Sequence, residues 1–208
     1  MKNKITNYDL VSCQEIINER DLCYGNLILL ASRPGIGKTK TCCELFKYYS
    51  KIYNCLYFDL LGSESSHFLV NNEQKGLIHD FMTSVEIINR IQKGIKCDNL
   101  KIVFIDYWQL LLDKNSWFIN MLLEIYSKHK IVIIITSQLS RKIEKRRHHL
   151  PKIKDLKKGL FDYCGKCVVI SRPYSYGESE DDKLYYLLYK NQFTYSKKIY
   201  KNINVVWF

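Results

Sequence analysis

The sequence predicts an α/β fold, a mainly parallel sheet flanked by helices with an antiparallel extension at its C-terminal end. Three observations point there. Short apolar runs rich in β-branched residues alternate with segments whose apolar residues recur at helical spacing, the order that βαβ units produce. A Gly-rich turn joins the first such run to the first such helix. The last runs are separated by turn-rich loops instead of helices.

Residues 27–30 are apolar and are followed by Ala31-Ser32-Arg33-Pro34-Gly35, which reads as a buried strand ended by Pro and Gly. From Thr39 to about Tyr53, Cys42, Cys43, Leu45, Phe46 and Tyr49 keep helical spacing. Residues 55–60 form a second strand, followed by a polar loop with Gly62, Ser63, Ser65 and Ser66. From residue 80 to about 95 a helix is expected, with Phe81, Val85, Ile88 and Ile91 on one stripe. Residues 102–105 are a strand ending in Asp106, and Asn115 to about Ser127 is a helix aligned on Phe118, Leu122 and Ile125. Residues 131–136 make the most β-branched strand. A basic segment runs from about Ser140 to Lys158, and short strands follow near residues 167–170, 184–189 and 204–207. Residues 10–22, with Leu10, Ile16 and Ile17, read as one short helix before the first strand. The acidic run Glu178-Ser179-Glu180-Asp181-Asp182, beside Pro173 and Gly177, reads as a solvated turn between two strands.

At 208 residues and 47% hydrophobic, the chain is long and apolar enough for one domain with a real core. No apolar run approaches the roughly 20 residues needed to cross a bilayer, and Met1-Lys2-Asn3-Lys4 does not begin a signal peptide. A cytoplasmic protein is expected. Lys and Arg outnumber Asp and Glu by 32 to 21, a net charge of +11 that favours a polyanionic partner. The eight cysteines read as reduced thiols, several on apolar faces. Cys164-Gly165-Lys166-Cys167 has no second pair to complete a tetrahedral zinc site, and its thiols read as small hydrophobes.

Ser32-Arg33-Pro34-Gly35-Ile36-Gly37-Lys38-Thr39 matches the phosphate-loop pattern GxxxxGK[ST], except that Ser32 replaces the first Gly. Gly35 and Gly37 let the backbone turn so that its N–H groups face phosphate oxygens at a helix N-terminus. Lys38 would neutralise β- and γ-phosphate charge, and the Thr39 hydroxyl would ligate Mg²⁺. Downstream, Lys101-Ile102-Val103-Phe104-Ile105-Asp106 is an apolar strand ending in the carboxylate that would orient that metal.

These segments carry a more specific resemblance. Residues 25–39 resemble the phosphate-loop segment of DnaB-type replicative helicases, including the Arg-Pro inside the loop. Ile105-Asp106-Tyr107-Trp108-Gln109-Leu110-Leu111 resembles that family's Asp-Tyr-x-Gln-Leu signature. Thr136-Ser137-Gln138-Leu139-Ser140-Arg141 looks like its Ser-Gln-Leu-x-Arg segment, and Asp155-Leu156-Lys157 like its Asp-Leu-Arg stretch. The chain is thus similar to the RecA-like P-loop ATPase domain of that family, over most of residues 25–190.

The resemblance implies an ATP- and Mg²⁺-dependent, ring-forming protein acting on single-stranded DNA. Lys38, Asp106 and Gln138 take the catalytic roles, with Gln138 sensing the γ-phosphate. Residues Ser32 through Thr39, with a trans-acting Lys190, hold the nucleotide, while Thr39 and Asp106 serve the metal. The loop after Gln138 would track DNA phosphates. The residues support this last role, since positions 141–158 hold nine Lys and Arg against Glu144 and Asp155. Arg141, Lys142, Lys145, Arg146 and Arg147 are the candidate DNA contacts. His148 and His149 are taken as loop residues.

Three departures stand against a fast motor. Leu61, in Phe58-Asp59-Leu60-Leu61, stands where the family places its catalytic Glu, and only Asp59 or Glu64 is near enough to substitute. In Lys190-Asn191-Gln192-Phe193, Gln192 replaces the Arg finger. The expected division, residues 1–24 as a short N-terminal segment and 25–208 as the ATPase domain, leaves no room for the family's N-terminal helical domain. The alternative expectation is therefore a non-hydrolysing, nucleotide-dependent DNA-binding or assembly subunit.

Overall fold

The computed structural model describes residues 9–11, 14–60, 76–79, 82–111, 116–156, 160–180 and 184–191. The N-terminal half contains β1 (Asp9–Val11), α1 (Glu19–Tyr24), β2 (Asn26–Ser32), α2 (Lys38–Tyr49), β3 (Cys55–Asp59), β4 (Leu77–His79) and α3 (Ser84–Asp98). The remainder contains β5 (Ile102–Asp106), α4 (Ser116–His129), β6 (Val132–Gln138), α5 (Leu160–Tyr163), β7 (Lys166–Ser171) and β8 (Tyr185–Asn191). All eight described strands form one sheet in the order β1-β8-β7-β2-β6-β5-β3-β4. From β7 to β4 the pairings are parallel, while β8 runs antiparallel to both β7 and β1.

The central strands are apolar on both faces because both faces are covered. Leu27, Leu29, Val103, Ile105, Ile133 and Ile135 pack with Ile87, Ile88 and Ile91 of α3, Phe118, Leu122 and Ile125 of α4, and Leu160 of α5. The alternate residues Ile28, Leu30, Ile102, Phe104, Val132 and Ile134 pack on the opposite side with Cys42, Cys43, Leu45, Phe46 and Tyr49 of α2. Each large aliphatic side chain buried this way contributes about 1.5–3 kcal/mol. All five apolar positions expected on α2 are therefore core, as are the three expected on α4.

Two expectations are corrected. The α3 stripe does not include Val85, which is 50% exposed. Thr83 caps the helix in a reciprocal box with Glu86, so α3 starts at Ser84 and its buried stripe is Ile87, Ile88 and Ile91. Phe81, also expected there, lies outside the described residues.

Residues 10–22 are not one helix. Residues 9–11 pair with β8, a short 3-10 turn covers Gln14–Ile16, and α1 begins only after the capping Asn18. The open edge of β8 captures the first segment as a strand, a tertiary demand that overrides local helical spacing. Ile16 and Ile17 nonetheless reach the core beside α2. The Asp21 carboxylate accepts from Lys166 at 2.9 Å and from the Asn26 amide at 2.7 Å, with both Lys166 and Asp21 buried. Residues 14–24 are thereby fastened to the strands that bear the site. The polar loop after residue 60 and the strand expected at 204–207 lie outside the described residues. No helix among the described residues is long and apolar enough to cross a membrane.

Candidate functional site

The carboxyl ends of β2, β5 and β6 meet at one end of the sheet, the place where parallel α/β sheets bind ligands. Ser32 is in register with Gln138, and Ile105 with Ile135, so the phosphate loop, Asp106 and the end of β6 share one rim. The loop runs from Ser32 into α2, whose N-cap is Gly37 in a left-handed conformation with φ 110°. Gly35, also left-handed at φ 76°, would present a Cβ to open space. Among the described residues, no side chain caps α2. The helix therefore begins at a glycine without a capping side chain, at the positive end of its dipole, an arrangement that suits phosphate.

Beneath the loop lies a buried polar cluster. Lys38 Nζ donates to Asp106 Oδ1 at 2.9 Å and lies 3.4 Å from Thr136 Oγ1. Thr136 also donates to Asp106 Oδ1. The Tyr57 hydroxyl donates to Asp106 Oδ2 at 3.0 Å. Burial pushes the Tyr57 hydroxyl well above its ordinary pKa, so it stays a donor at neutral pH. The Lys38 ammonium also sits 4.5 Å from the centre of the Tyr107 ring. A buried carboxylate is costly unless paired and hydrogen-bonded, and Asp106 is both.

Thr39 is half-buried in the first turn of α2, beside this cluster in sequence. The chemistry fits a nucleotide with Mg²⁺: a helix N-terminus and an ammonium for phosphate, a hydroxyl and a carboxylate for the metal. Gln138 ends β6, where its carbonyl accepts from Gln109 Nε2 at 3.3 Å, and Gln109 also donates to the Ser137 hydroxyl at 2.9 Å. The Gln of the Asp-Tyr-Trp-Gln-Leu segment thus braces the strand end that carries Gln138. Sequence reasoning missed that role, because Gln109 serves there only to identify the segment.

Other expected residues distribute unevenly. Ser32 and Arg33 are buried, Pro34 is exposed, and Ile36 packs into the α2-side core. The backbone of Lys190 pairs with Cys167, level with Leu29 and short of Ser32. The chain's own sheet does not bring Lys190 to its own phosphate loop. Leu61, Glu64 and Gln192 lie outside the described residues. Asp59, buried, is in register with Asp106 on the neighbouring strand.

The basic segment is folded back on the site by short 3-10 turns at Arg141–Lys145 and Ile153–Asp155. Ile143 anchors the first turn in the interior, leaving Arg141, Lys142 and Lys145 exposed, with Arg147 exposed just beyond. Arg146 differs from its neighbours. Its guanidinium pairs with buried Asp155 at 2.5 Å and donates to the Leu150 carbonyl at 3.4 Å. His149 stacks on Tyr176 with ring centres 4.4 Å apart, and its N–H and ring nitrogen meet Glu178 at 2.9 and 3.0 Å. Glu178 therefore ties the turn before β8 to the basic segment, a correction to the solvated turn expected of it.

Among the described residues, no group of His, Cys, Asp or Glu could by itself hold a metal ion. Cys164 and Cys167 are both buried, and the Cys164 thiol donates to the Phe161 carbonyl at 3.1 Å.

A model of the DnaB-like helicase C-terminal domain matches residues 66–194, a span that takes in Asp106, Gln138 and the basic segment and starts after the phosphate loop. Solved structures share the fold. An ATPase domain superposes with a TM-score of 0.66 at 20% identity, covering 90% of this chain and 86% of its own. A DnaB-like replicative helicase, described with its interactions with primase, superposes at 0.63 and 20% identity, covering 82% of this chain and 53% of its own. A KaiC-like protein from Pyrococcus horikoshii OT3 superposes at 0.59 and 14% identity, covering 89% of each chain. No curated protein sequence matches the chain.

Proposed function

Because the chain belongs to the family of DnaB-like helicase C-terminal domains, with the RecA-like ATPase fold, we propose that it binds ATP with Mg²⁺ at residues 32–39 and couples that binding, and hydrolysis, to single-stranded DNA. One observation carries the reading. The ammonium of the loop is held by a buried carboxylate directly under an uncapped helix N-terminus. Triphosphate brings more negative charge than Asp106, so Lys38 exchanges one anion for another without passing through bulk water. Asp106 would keep Thr136 and Tyr57 as donors, which leaves its carboxylate held in place for a metal. Bound Mg²⁺, held by Thr39 and Asp106, would supply neutralisation of phosphate charge.

In this reading Thr39 holds the metal with Asp106, and Gln138, braced by Gln109, faces the γ-phosphate. Arg141, Lys142, Lys145 and Arg147 contact DNA phosphates. Lys190 acts on a neighbouring copy, which makes self-association into a ring part of the proposal. A second reading, a nucleotide-dependent DNA-binding or assembly subunit without turnover, is favoured by Leu61 and Gln192 at the expected Glu and Arg positions.

The test is an ATP-binding titration beside Mg²⁺-dependent turnover, each with and without single-stranded DNA. DNA-stimulated turnover supports the motor. Binding without turnover supports the second reading, and absence of ATP binding removes both.

A further inference from the structure

The phosphate loop and the turn that carries exposed cations of the basic segment are joined by the side-chain pair of Arg33 and Glu144. Arg33 lies inside the loop, and its side chain is 8% exposed. One of its terminal nitrogens donates to the Leu139 carbonyl at 3.1 Å, just past Gln138. The other forms an ion pair with Glu144. Glu144 sits in the 3-10 turn that also carries Arg141, Lys142 and Lys145. This turn has two further anchors, Ile143 in the interior and the Arg146–Asp155 pair beyond it. The Arg146–Asp155 pair involves no residue of the phosphate loop.

We propose that Glu144 is a positioning residue that passes the state of the phosphate loop, through Arg33, to the cationic turn, so that nucleotide occupancy sets affinity for single-stranded DNA. The inference rests on the nucleotide- and DNA-binding reading above. Three features favour a link over a brace. Glu144 is 47% exposed while Arg33 is buried, so solvent reaches the carboxylate side of the pair and the carboxylate can leave without becoming a buried charge. Arg33 Nε has no hydrogen-bond partner among the described residues, while the Tyr176 hydroxyl lies beside the same guanidinium, so Arg33 has donor capacity beyond its bonds to Leu139 and Glu144. The turn lies next in sequence to β6, whose end is tied through the Leu139 N–H to the Ser32 carbonyl at 2.9 Å. Movement of residues 32–33 on phosphate binding therefore pulls on both ends of the same turn.

The experiment measures the affinity of the full chain for a fluorescent oligo-dT strand, with and without Mg²⁺ and a slowly hydrolysed ATP analogue. It compares wild type, Glu144→Gln and Glu144→Asp. Wild type should show a nucleotide-dependent change of about fivefold or more, the ordinary range of coupling between two sites. Glu144→Gln keeps shape but loses charge. It should bind the analogue and, separately, the DNA within about twofold of wild type while the nucleotide-dependent change disappears. Glu144→Asp retains the charge and should restore part of it.

Unchanged coupling in Glu144→Gln overturns the link, as does a wild type that binds both ligands without coupling. Loss of analogue binding or folding in Glu144→Gln, with Glu144→Asp equally affected, makes the residue a brace and also overturns it. If wild type binds no nucleotide, the failure belongs to the functional reading and is seen in the titration before any variant is made.

Discussion

Lys38 and Asp106, 68 residues apart in sequence, meet at 2.9 Å with the carboxylate fully buried. The pair joins the start of α2 to the end of β5, so the residues that would handle phosphate and metal also hold the two elements together. A change at either residue is therefore expected to disturb packing as well as the proposed binding.

Lys38→Met should therefore do two things. Nucleotide binding falls below detection in a titration, and stability falls as well, because Asp106 loses the opposite charge beside it. Breaking a buried pair costs ~3–5 kcal/mol. Thr136 and Tyr57 still donate to Asp106, which sets the expectation at about 3 kcal/mol, read by urea denaturation.

The buried pair of Lys166 and Asp21 gives a contrasting case, since neither residue belongs to the phosphate loop or its buried cluster. Lys166→Met alone should destabilise by ~3–5 kcal/mol, leaving Asp21 an unpaired buried charge. Adding Asp21→Leu should recover part of the loss, and ATP binding by the folded fraction should be untouched throughout. A double variant no more stable than the single one would argue that the bonds the Asp21 carboxylate accepts from the Asn26 amide and the Asn18 N–H matter more than its charge.

Salt dependence separates the basic residues that sequence grouped together. Removing Arg141 and Arg147 should flatten the slope of log affinity for single-stranded DNA against log salt, by ~0.7 for each phosphate no longer neutralised. Arg146→Ala should leave that slope nearly unchanged and lower the melting temperature, because its guanidinium is engaged by Asp155 and the Leu150 carbonyl. Equal effects of all three on the slope would return Arg146 to the DNA-facing set.

Thiol chemistry reports on the α2 side of the sheet. Burial pushes the Cys43 and Cys55 thiols up to about 12, and Cys42 is raised for the same reason. At pH 8 alkylation should reach Cys23 and Cys97, both exposed, while these three react only after unfolding, as mass spectrometry would show. The folded thiols hold their protons where unfolded ones release them. The contribution of Cys43 and Cys55 is thus fully present below about pH 9 and declines toward about pH 12, by about 1.4 kcal/mol per pH unit for each of the two.

Most of the candidate site was legible because it is local in sequence. The glycines, Lys38 and Thr39 are consecutive or nearly so, and the strand ending in Asp106 announces itself by composition. What sequence did not show is contact across distance. Arg146 looked like its neighbours until Asp155 was found beside it, Glu178 until His149 was, and Gln109 until the end of β6 was. Such pairings depend on how loops fold back, which neither spacing nor charge counting specifies. The first residues failed for a related reason, since a strand made by an available edge leaves no periodic mark over three residues.

The pairing of β1 with β8 has a consequence for the order of events in folding. Leu10 lies opposite Leu187, so nearly the whole described chain separates the two halves of that pairing. During synthesis the first strand emerges long before its partner exists. The parallel centre can assemble while residues 9–11 wait, and the sheet gains its last strand only when β8 has left the ribosome and laid down against β7. Until then the edge of the growing sheet is open, and a second nascent chain offering its own first segment would compete for it.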